Sequence, residues 1–302
     1  MKNISKTEML SRRTFAVGAT SALASSAFAK PPLSILAQTY IWILHCQLQK
    51  KSLAEGISDM TAQTAAAGFS QVEIMSAFLT PEMAPLTLTA MRKNRLRPTV
   101  IYLSGTMHEA RQAEATVANA MRLSTIALAE GTQAFDLSLS PKPNQEAKTE
   151  AEMKIEAEVI GEIAKSLQGK GIKTYLHHHE AEMMHGAREW RYLMKALDPA
   201  LVKCCLDLDW IERGGQSPLG IVSEFSDRIA SLHLRSRKNG VWMESLEGGD
   251  LDYSKLASLL LKSKYTGHYG VELAYDEKTA RTRSLRQNLE RSRKLIEKTF
   301  AS

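Results

Sequence analysis

Four apolar runs in the second half of the chain each end near a side chain that can bind a metal ion. The first run, 172–176, is followed by three consecutive histidines, and the others end close to Asp207, His233 and Glu272. Each run is typical of a buried β-strand with a histidine or a carboxylate at its C-terminal end. Imidazole and carboxylate groups together suit a divalent ion of the Mn, Co or Zn type.

A parallel barrel is the common architecture that gathers such strand ends, because the C-terminal ends of its strands share one face. The sequence predicts eight strands, at 33–38, 70–74, 99–103, 134–139, 172–177, 202–206, 229–234 and 269–273. Helices alternate with them, at 52–67, 85–94, 109–130, 150–168, 190–197, 219–225, 253–263 and 279–300. This alternation predicts an α/β fold, a single-domain (β/α)₈ TIM barrel over residues 30–302.

Composition is compatible with one large enzyme domain. The chain has 302 residues, of which 44% are hydrophobic and 24% are charged, and a barrel needs about 250. The formal net charge is +6, but residues 1–29 hold four basic residues and one acidic residue, which leaves +3 for the rest. Such a modest charge gives no reason to expect a nucleic-acid partner. The cysteines, Cys46, Cys204 and Cys205, do not form a disulfide framework, and the adjacent pair should point to opposite faces of a strand.

The N-terminal segment 1–29 resembles an export signal. Arg12 and Arg13 precede an uncharged apolar stretch, 16–27, and Ala27-Phe28-Ala29 then offers a cleavage site. We therefore expect twin-arginine export to the periplasm, cleavage after Ala29, and a mature domain that does not insert stably into the membrane. The alternative is a disordered tail with a chance arginine pair.

Six segments in order along the chain carry a family resemblance. They are 67–73, 171–182, 206–207 with the glycines at 214–215, His233, 247–253, and 265–267 leading into Glu272. Together they resemble the xylose-isomerase-like TIM-barrel family over essentially all of 33–300. That family includes sugar phosphate isomerases and epimerases, inosose dehydratases, ketose 3-epimerases and endonuclease IV.

The resemblance implies a metal site formed by His177, Asp207, His233 and Glu272. The ion would be Mn, Co, Zn or Mg, with Mn favoured. The strand-five position is ambiguous, because His177 and His179 share one face of an extended strand while His178 points away. His179 or Glu182 could instead complete the shell or contact the substrate.

Two positions depart from the family. Many relatives have a lysine two residues after the strand-seven histidine, where this chain has Arg235, which keeps the charge but does not readily exchange protons. Endonuclease IV has a further histidine where this chain has Trp210, so a nuclease is disfavoured. Trp210 instead suits an apolar wall against a sugar ring. Arg235 and Gln38 are the other expected substrate contacts.

These observations predict a metal-dependent isomerase or epimerase that acts on a small sugar or polyol through an enediolate. Glu272 is the first candidate for the base, and His179, Glu182 and Glu73 are further catalytic candidates. One alternative is a metal-dependent lyase or hydrolase on 3-keto-glycosides, or a dehydratase of the inosose type. A second alternative is a barrel that binds sugar without turnover.

Overall fold

Eight parallel strands close into a barrel in the computed structural model, which describes residues 32–301. The barrel strands are β1 (Ser34–Gln38), β2 (Gln71–Met75), β3 (Arg97–Gly105), β4 (Ala134–Leu139), β5 (Lys173–His177), β6 (Val202–Asp207), β7 (Ile229–Leu234) and β10 (His268–Val271). Each strand pairs with the next, and β10 closes the ring against β1. The predicted TIM barrel is therefore confirmed. The predicted export segment, 1–29, lies outside the described residues.

Helices separate the strands along the chain. They are α1 (Tyr40–Leu48), α2 (Leu53–Ala66), α3 (Ala84–Lys93), α4 (Ala110–Glu130), α5 (Glu150–Gln168), α6 (Glu180–Ala196), α7 (Leu208–Arg213), α8 (Pro218–Glu224), α9 (Tyr253–Lys262) and α10 (Leu285–Phe300). A short antiparallel hairpin, β8 (Arg237–Lys238) and β9 (Val241–Trp242), follows β7. Within residues 32–301, none of the helices combines the length and apolar character that crossing a bilayer requires.

Local sequence explains most helix boundaries. Ser52 accepts a hydrogen bond from the Glu55 N–H and the Glu55 carboxylate accepts one from the Ser52 N–H, so a capping box starts α2. Gly131 ends α4 with a φ of 69°, a left-handed conformation that glycine adopts without strain. The predicted helices 52–67 and 109–130 agree with these two signals.

Several elements differ from the sequence prediction. Helix α6 begins at Glu180 rather than at 190, and non-helical dihedral angles at 184–187 divide it. Helix α10 begins at Leu285 rather than at 279, because Ser284 supplies its capping box with Gln287. Helices α1 and α7 and the β8–β9 hairpin occupy segments for which no element was predicted.

The barrel interior changes from apolar to polar along the strands. A small apolar cluster, separate from the main core, is formed by Leu36, Val100, Ala134, Tyr175 and Cys205. Side chains alternate between the two faces of a strand, so the residue two positions later lies on the same face. Those next positions are Gln38, Tyr102, Asp136, His177 and Asp207, and all five are buried. The C-terminal half of the interior is therefore lined with hydrogen-bonding and ionisable groups.

Candidate active site

Three of the four predicted metal ligands meet inside the barrel at its C-terminal end. Asp207, His233 and Glu272 each offer one ligand atom, and these atoms all lie within 4.8 Å of one another. Asp207 is paired with His233 across β6 and β7, and Glu272 follows the last residue of β10. Gly270 lies beside His233 on β10, where a Cβ atom would stand 3.0 Å from the imidazole ring. The glycine therefore makes room for the histidine.

Asp207 is also the N-cap of α7. Its Oδ1 accepts hydrogen bonds from the backbone N–H groups of Asp209 at 2.9 Å and Trp210 at 3.1 Å. Its Oδ2 accepts from Arg235 Nη2 at 2.8 Å. Burial raises the pKa of Asp207 to about 7, and the Arg235 guanidinium opposes that rise. The carboxylate is therefore fixed by the helix on one side and by a cation on the other.

The two ring nitrogens of His233 face different carboxylates. Nε2 lies 2.8 Å from Glu73 Oε2 and is hydrogen-bonded to it. Nδ1 lies 2.7 Å from Glu272 Oε2, but that contact lacks hydrogen-bond geometry and neither atom has another partner. A metal-bound histidine commonly donates its other N–H to a carboxylate, which fixes the tautomer. Glu73 is placed for that supporting role, and the unpartnered Nδ1 and Glu272 Oε2 are placed to bind an ion together.

Glu272 lies against two basic side chains. Its Oε1 lies 2.6 Å from Arg235 Nη2, in addition to the contact of Oε2 with His233. Burial raises the pKa of Glu272, but Arg235 and His233 outweigh burial and hold it well below its usual range. An ionised carboxylate with one oxygen held by Arg235 and the other unpartnered suits ion binding better than proton abstraction.

The structure groups His177, the fourth predicted ligand, with other partners. Its ring nitrogens have no hydrogen-bond partner, and its side chain is buried. Its ligand atom lies within 4.8 Å of ligand atoms of Asp136, Cys205 and His233, rather than in the group of Asp207 and Glu272. Burial holds the pKa of His177 well below its usual range, so the ring is neutral and able to bind a metal.

His179 stands half-buried just after β5. Its ring lies edge-on to Trp210, with centroids 5.4 Å apart, and its nitrogens lie 3.5 Å from the Tyr102 hydroxyl and 3.4 Å from Ser138 Oγ. Burial lowers the pKa of His179 to about 4, which makes the imidazole neutral at pH 7. His178 points outward, as predicted, and packs against Trp190.

Glu182 lies behind the strand ends rather than among them. It is fully buried on α6, and its Oε2 accepts a hydrogen bond from the His179 backbone N–H at 2.6 Å. Burial raises the pKa of Glu182 to about 7, with a further contribution from Glu189 and an opposing one from Lys148. The carboxylate thus orients the backbone of His179, while direct contact with a substrate is disfavoured by its burial.

Glu182 belongs to a separate set of buried charges that we call the outer charge group, which consists of His108, Lys148, Glu156, Glu182 and Glu189. Lys148 Nζ donates to Glu156 Oε1 at 2.6 Å and to Glu189 Oε1 at 2.8 Å. Burial raises the pKa of Glu156 to about 8 against the opposing influence of Lys148. This group lies on α5, α6 and the loops beside them, outside the barrel.

Two tryptophans and several arginines border the site. Trp210 and Trp242 are perpendicular, with ring centroids 6.2 Å apart, and the guanidinium of Arg235 lies within 5.4 Å of both centroids. The Trp242 indole N–H donates to Asp209 at 2.9 Å, which fastens the β8–β9 hairpin to α7. Gln38 is buried on the inner face of β1, where its side-chain oxygen accepts from the Tyr40 N–H.

Sequence reasoning missed Asp136, Tyr102, Cys205 and Trp242. Asp136 interrupts the apolar strand 134–139 in the same way that Asp207 interrupts β6, so the same argument from a buried charge would have found it. The sequence around Trp242 has no comparable signal, because the position of this side chain depends on a hairpin of two-residue strands.

Comparison with known proteins agrees with this geometry. Residues 61–295 match the family described as xylose isomerase-like TIM barrel, and the chain belongs to that family. An inosose dehydratase of Bacillus anthracis is 25% identical over 151 residues, a match that covers 44% of this chain and 51% of the dehydratase. The chain thus matches about half the length of the curated relatives.

Solved structures share the fold at low identity. A xylose isomerase-like TIM barrel protein from Mycobacterium smegmatis, in complex with magnesium, superposes with a TM-score of 0.67 at 17% identity and covers 89% of this chain and 97% of that one. A D-allulose 3-epimerase from Methylomonas, in complex with D-allulose, has a TM-score of 0.68 at 16% identity, covering 88% and 97%. These likenesses show the fold.

Proposed function

We propose that this protein is a metal-dependent isomerase or epimerase that acts on a sugar or polyol by proton transfer next to a carbonyl. The observation that carries the proposal is the convergence of Asp207, His233 and Glu272 inside the barrel mouth, with ligand atoms within 4.8 Å of one another. Active sites of TIM barrels lie at this face.

The donor set fits a divalent ion. Two carboxylates and an imidazole converge, and the facing atoms Nδ1 of His233 and Oε2 of Glu272 have no hydrogen-bond partner. The magnesium complex of a structural neighbour supports an ion in a barrel of this kind. A bound ion supplies polarisation of the substrate carbonyl and stabilises the negative charge that develops on its oxygen.

The residues around the ligands provide the remaining functions. His179 is neutral at pH 7 and half-buried beside Trp210, so it is suited to accept the α-proton of a sugar. Arg235 bridges Asp207 and Glu272 through Nη2, while its Nε and Nη1 are buried without partners. Those N–H groups are available to hydrogen-bond a substrate oxygen. Trp210 offers an apolar surface to a sugar ring.

Dehydration is the second candidate reaction. An epimerase needs a proton-carrying group on each face of the reacting carbon, and the burial of Glu182 behind the strand ends removes one candidate for the second face. The curated relatives named inosose dehydratase, at 25% identity, also favour elimination. The same enediolate leads to either outcome, because loss of a β-substituent replaces reprotonation.

A substrate panel in deuterated water tests both candidates. The purified full chain with manganese is incubated with ketoses, inososes and 3-keto-glycosides, and Asp207→Ala serves as the inactive control. We expect deuterium in the carbon next to the carbonyl of recovered product. Epimers or isomers support the first candidate and loss of water supports the second. Turnover without deuterium incorporation rejects the enediolate, and binding without turnover of any compound supports a sugar-binding barrel.

We also propose a periplasmic location, which rests on the arginine pair and the Ala27-Phe28-Ala29 site. Replacement of Arg12 and Arg13 by lysine should leave uncleaved precursor in the cytoplasm. Cell fractionation with N-terminal sequencing measures both compartment and cleavage. Normal export of this variant would exclude the twin-arginine route.

A further inference from the structure

A second group of buried polar atoms without partners lies deeper in the barrel. Both oxygens of Asp136 and both ring nitrogens of His177 lack a hydrogen-bond partner, as does Oε1 of Glu73. All three side chains are buried, at 1% exposure or less. A buried polar group without a partner lowers the stability of the fold, and native proteins tolerate few of them. Their concentration in one place indicates an occupant.

The chemistry of the neighbours identifies the class of occupant. The Cys205 thiol completes the group, because ligand atoms of Asp136, His177, Cys205 and His233 all lie within 4.8 Å of one another. Because His233 Nε2 is already hydrogen-bonded to Glu73, one thiol, one imidazole and one carboxylate form a mixed S, N and O donor set. Sulfur and nitrogen donors together select Zn²⁺ or Co²⁺ over Mg²⁺ and Ca²⁺, which prefer oxygen ligands.

We propose that Asp136, His177 and Cys205 form a second metal site. It lies deeper in the barrel than the first site, which is formed by Asp207, His233 and Glu272 and which we call the upper site. The two sites approach the same imidazole from opposite sides, since Nδ1 of His233 faces Glu272 while Nε2 lies 2.8 Å from Glu73 and 3.6 Å from Asp136. The bound ion pairs with the buried carboxylate of Asp136 and gives the His177 ring a partner. Apolar side chains line the barrel below this site. The bound ion therefore has a structural role, which is to hold the ends of these strands together.

Cobalt reports directly on a sulfur ligand. The full chain, stripped of metal and titrated with Co²⁺, should develop the near-ultraviolet charge-transfer band that a thiolate gives when it binds cobalt. Cys205→Ser and Asp136→Asn should each remove at least nine-tenths of that band. Asp207→Ala should keep it, because this change affects only the upper ligand set.

Cys204 provides a matched control. It is adjacent in sequence and equally buried, but it points to the outer face of β6, where its Sγ lies 3.3 Å from Met194 Sδ. Cys204→Ser should keep the full band. Persistence of the band in Cys205→Ser, or its loss in Cys204→Ser alone, overturns the proposal.

X-ray absorption of the cobalt-loaded wild-type chain needs no variant and covers the case in which Cys205→Ser does not fold. We expect a Co–S distance of about 2.3 Å, close to that of a Zn–thiolate bond. A cobalt environment of nitrogen and oxygen alone, at saturating metal, also overturns the proposal and leaves water as the occupant of the deeper site. The function proposed for the upper site is judged separately, by metal loss in Asp207→Ala.

Discussion

Two groups of buried charges lie close to each other and differ in how their charges are satisfied. In the outer charge group, the single ammonium of Lys148 is paired with two carboxylates, at 2.6 and 2.8 Å. Inside the barrel lies the inner charge group, in which Asp207, Glu272 and Glu73 surround His233 and Arg235. Several polar atoms in and beside this group have no hydrogen-bond partner. The first group comes from helices and loops, and the second comes from strand ends.

The difference separates a structural role from a functional one. In the outer group, Lys148 has two carboxylate partners and joins α5 to α6, although Glu156 Oε2, Glu182 Oε1 and His108 Nδ1 have no hydrogen-bond partner. Unpartnered groups on rigid strands cost stability and are retained where they bind something. The two groups are joined through Glu182, which accepts the His179 N–H, so the outer group orients the inner one.

Loss of an inner ligand should have the largest effect. Asp207→Ala and His233→Ala should each lose the ion bound at the site of Asp207, His233 and Glu272, and nearly all turnover, since each removes one of its ligands. The fold should persist, because barrel stability resides mainly in apolar layers. Elemental analysis and circular dichroism measure the two properties. Asp209→Asn, in the neighbouring position, should retain metal, and full metal occupancy in both alanine variants would show that other residues bind it.

Loss of the outer ammonium should affect stability instead. Lys148→Met leaves Glu156 and Glu189 buried without their cation and should lower the free energy of unfolding by about 3–5 kcal/mol. Urea denaturation provides the measurement. Lys142→Met, which removes a partly exposed pair with Glu152, should cost no more than about 1 kcal/mol. Equal losses in the two variants would contradict the division between the groups.

His179 tests whether a neutral imidazole accepts the proton. His179→Ala should lower kcat by about 10²-fold or more while metal content stays unchanged. His185→Ala, which removes an exposed histidine from α6, the helix that follows His179, should leave kcat as it is. Steady-state kinetics, with the substrate that the panel identifies, measures both variants. A kcat of His179→Ala within threefold of wild type would assign the proton transfer to another residue.

Glu73 should give the smallest effect. Glu73→Gln keeps the shape of the side chain but weakens the hydrogen bond that orients His233, so metal affinity should fall about 10–100-fold. Competition with a chromophoric chelator measures this change. Unchanged affinity would exclude a supporting role for Glu73 and revive its direct role in catalysis.

The sequence predicted the barrel and most of its site because both follow from periodic patterns. Apolar strands that end in Asp207 or Glu272 are recognisable, since a charge inside an apolar run requires a partner. Helix α1 was missed because Thr39 provides no side-chain cap and the segment begins with the bulky Tyr40, Ile41 and Trp42. Such residues do not distinguish a buried helix from a strand.

Tertiary contacts decided the remaining features. Glu182 was predicted to be catalytic, but the early start of α6 turns its carboxylate toward the backbone of His179. The sequence placed that helix after 190 and therefore gave no reason to expect this orientation. The grouping of His177 with Asp136 and Cys205 likewise depends on the register of β4, β5 and β6.

Asp207 has a consequence for how this enzyme class can diversify. One carboxylate faces the site and also starts the helix that carries Trp210. Under the proposed function, the surface that faces the sugar ring and one of the metal ligands therefore share a single turn. A new substrate preference can arise by exchanging the side chain at position 210 while the backbone turn is inherited unchanged. Insertion of even one residue within that turn would alter specificity and reactivity together.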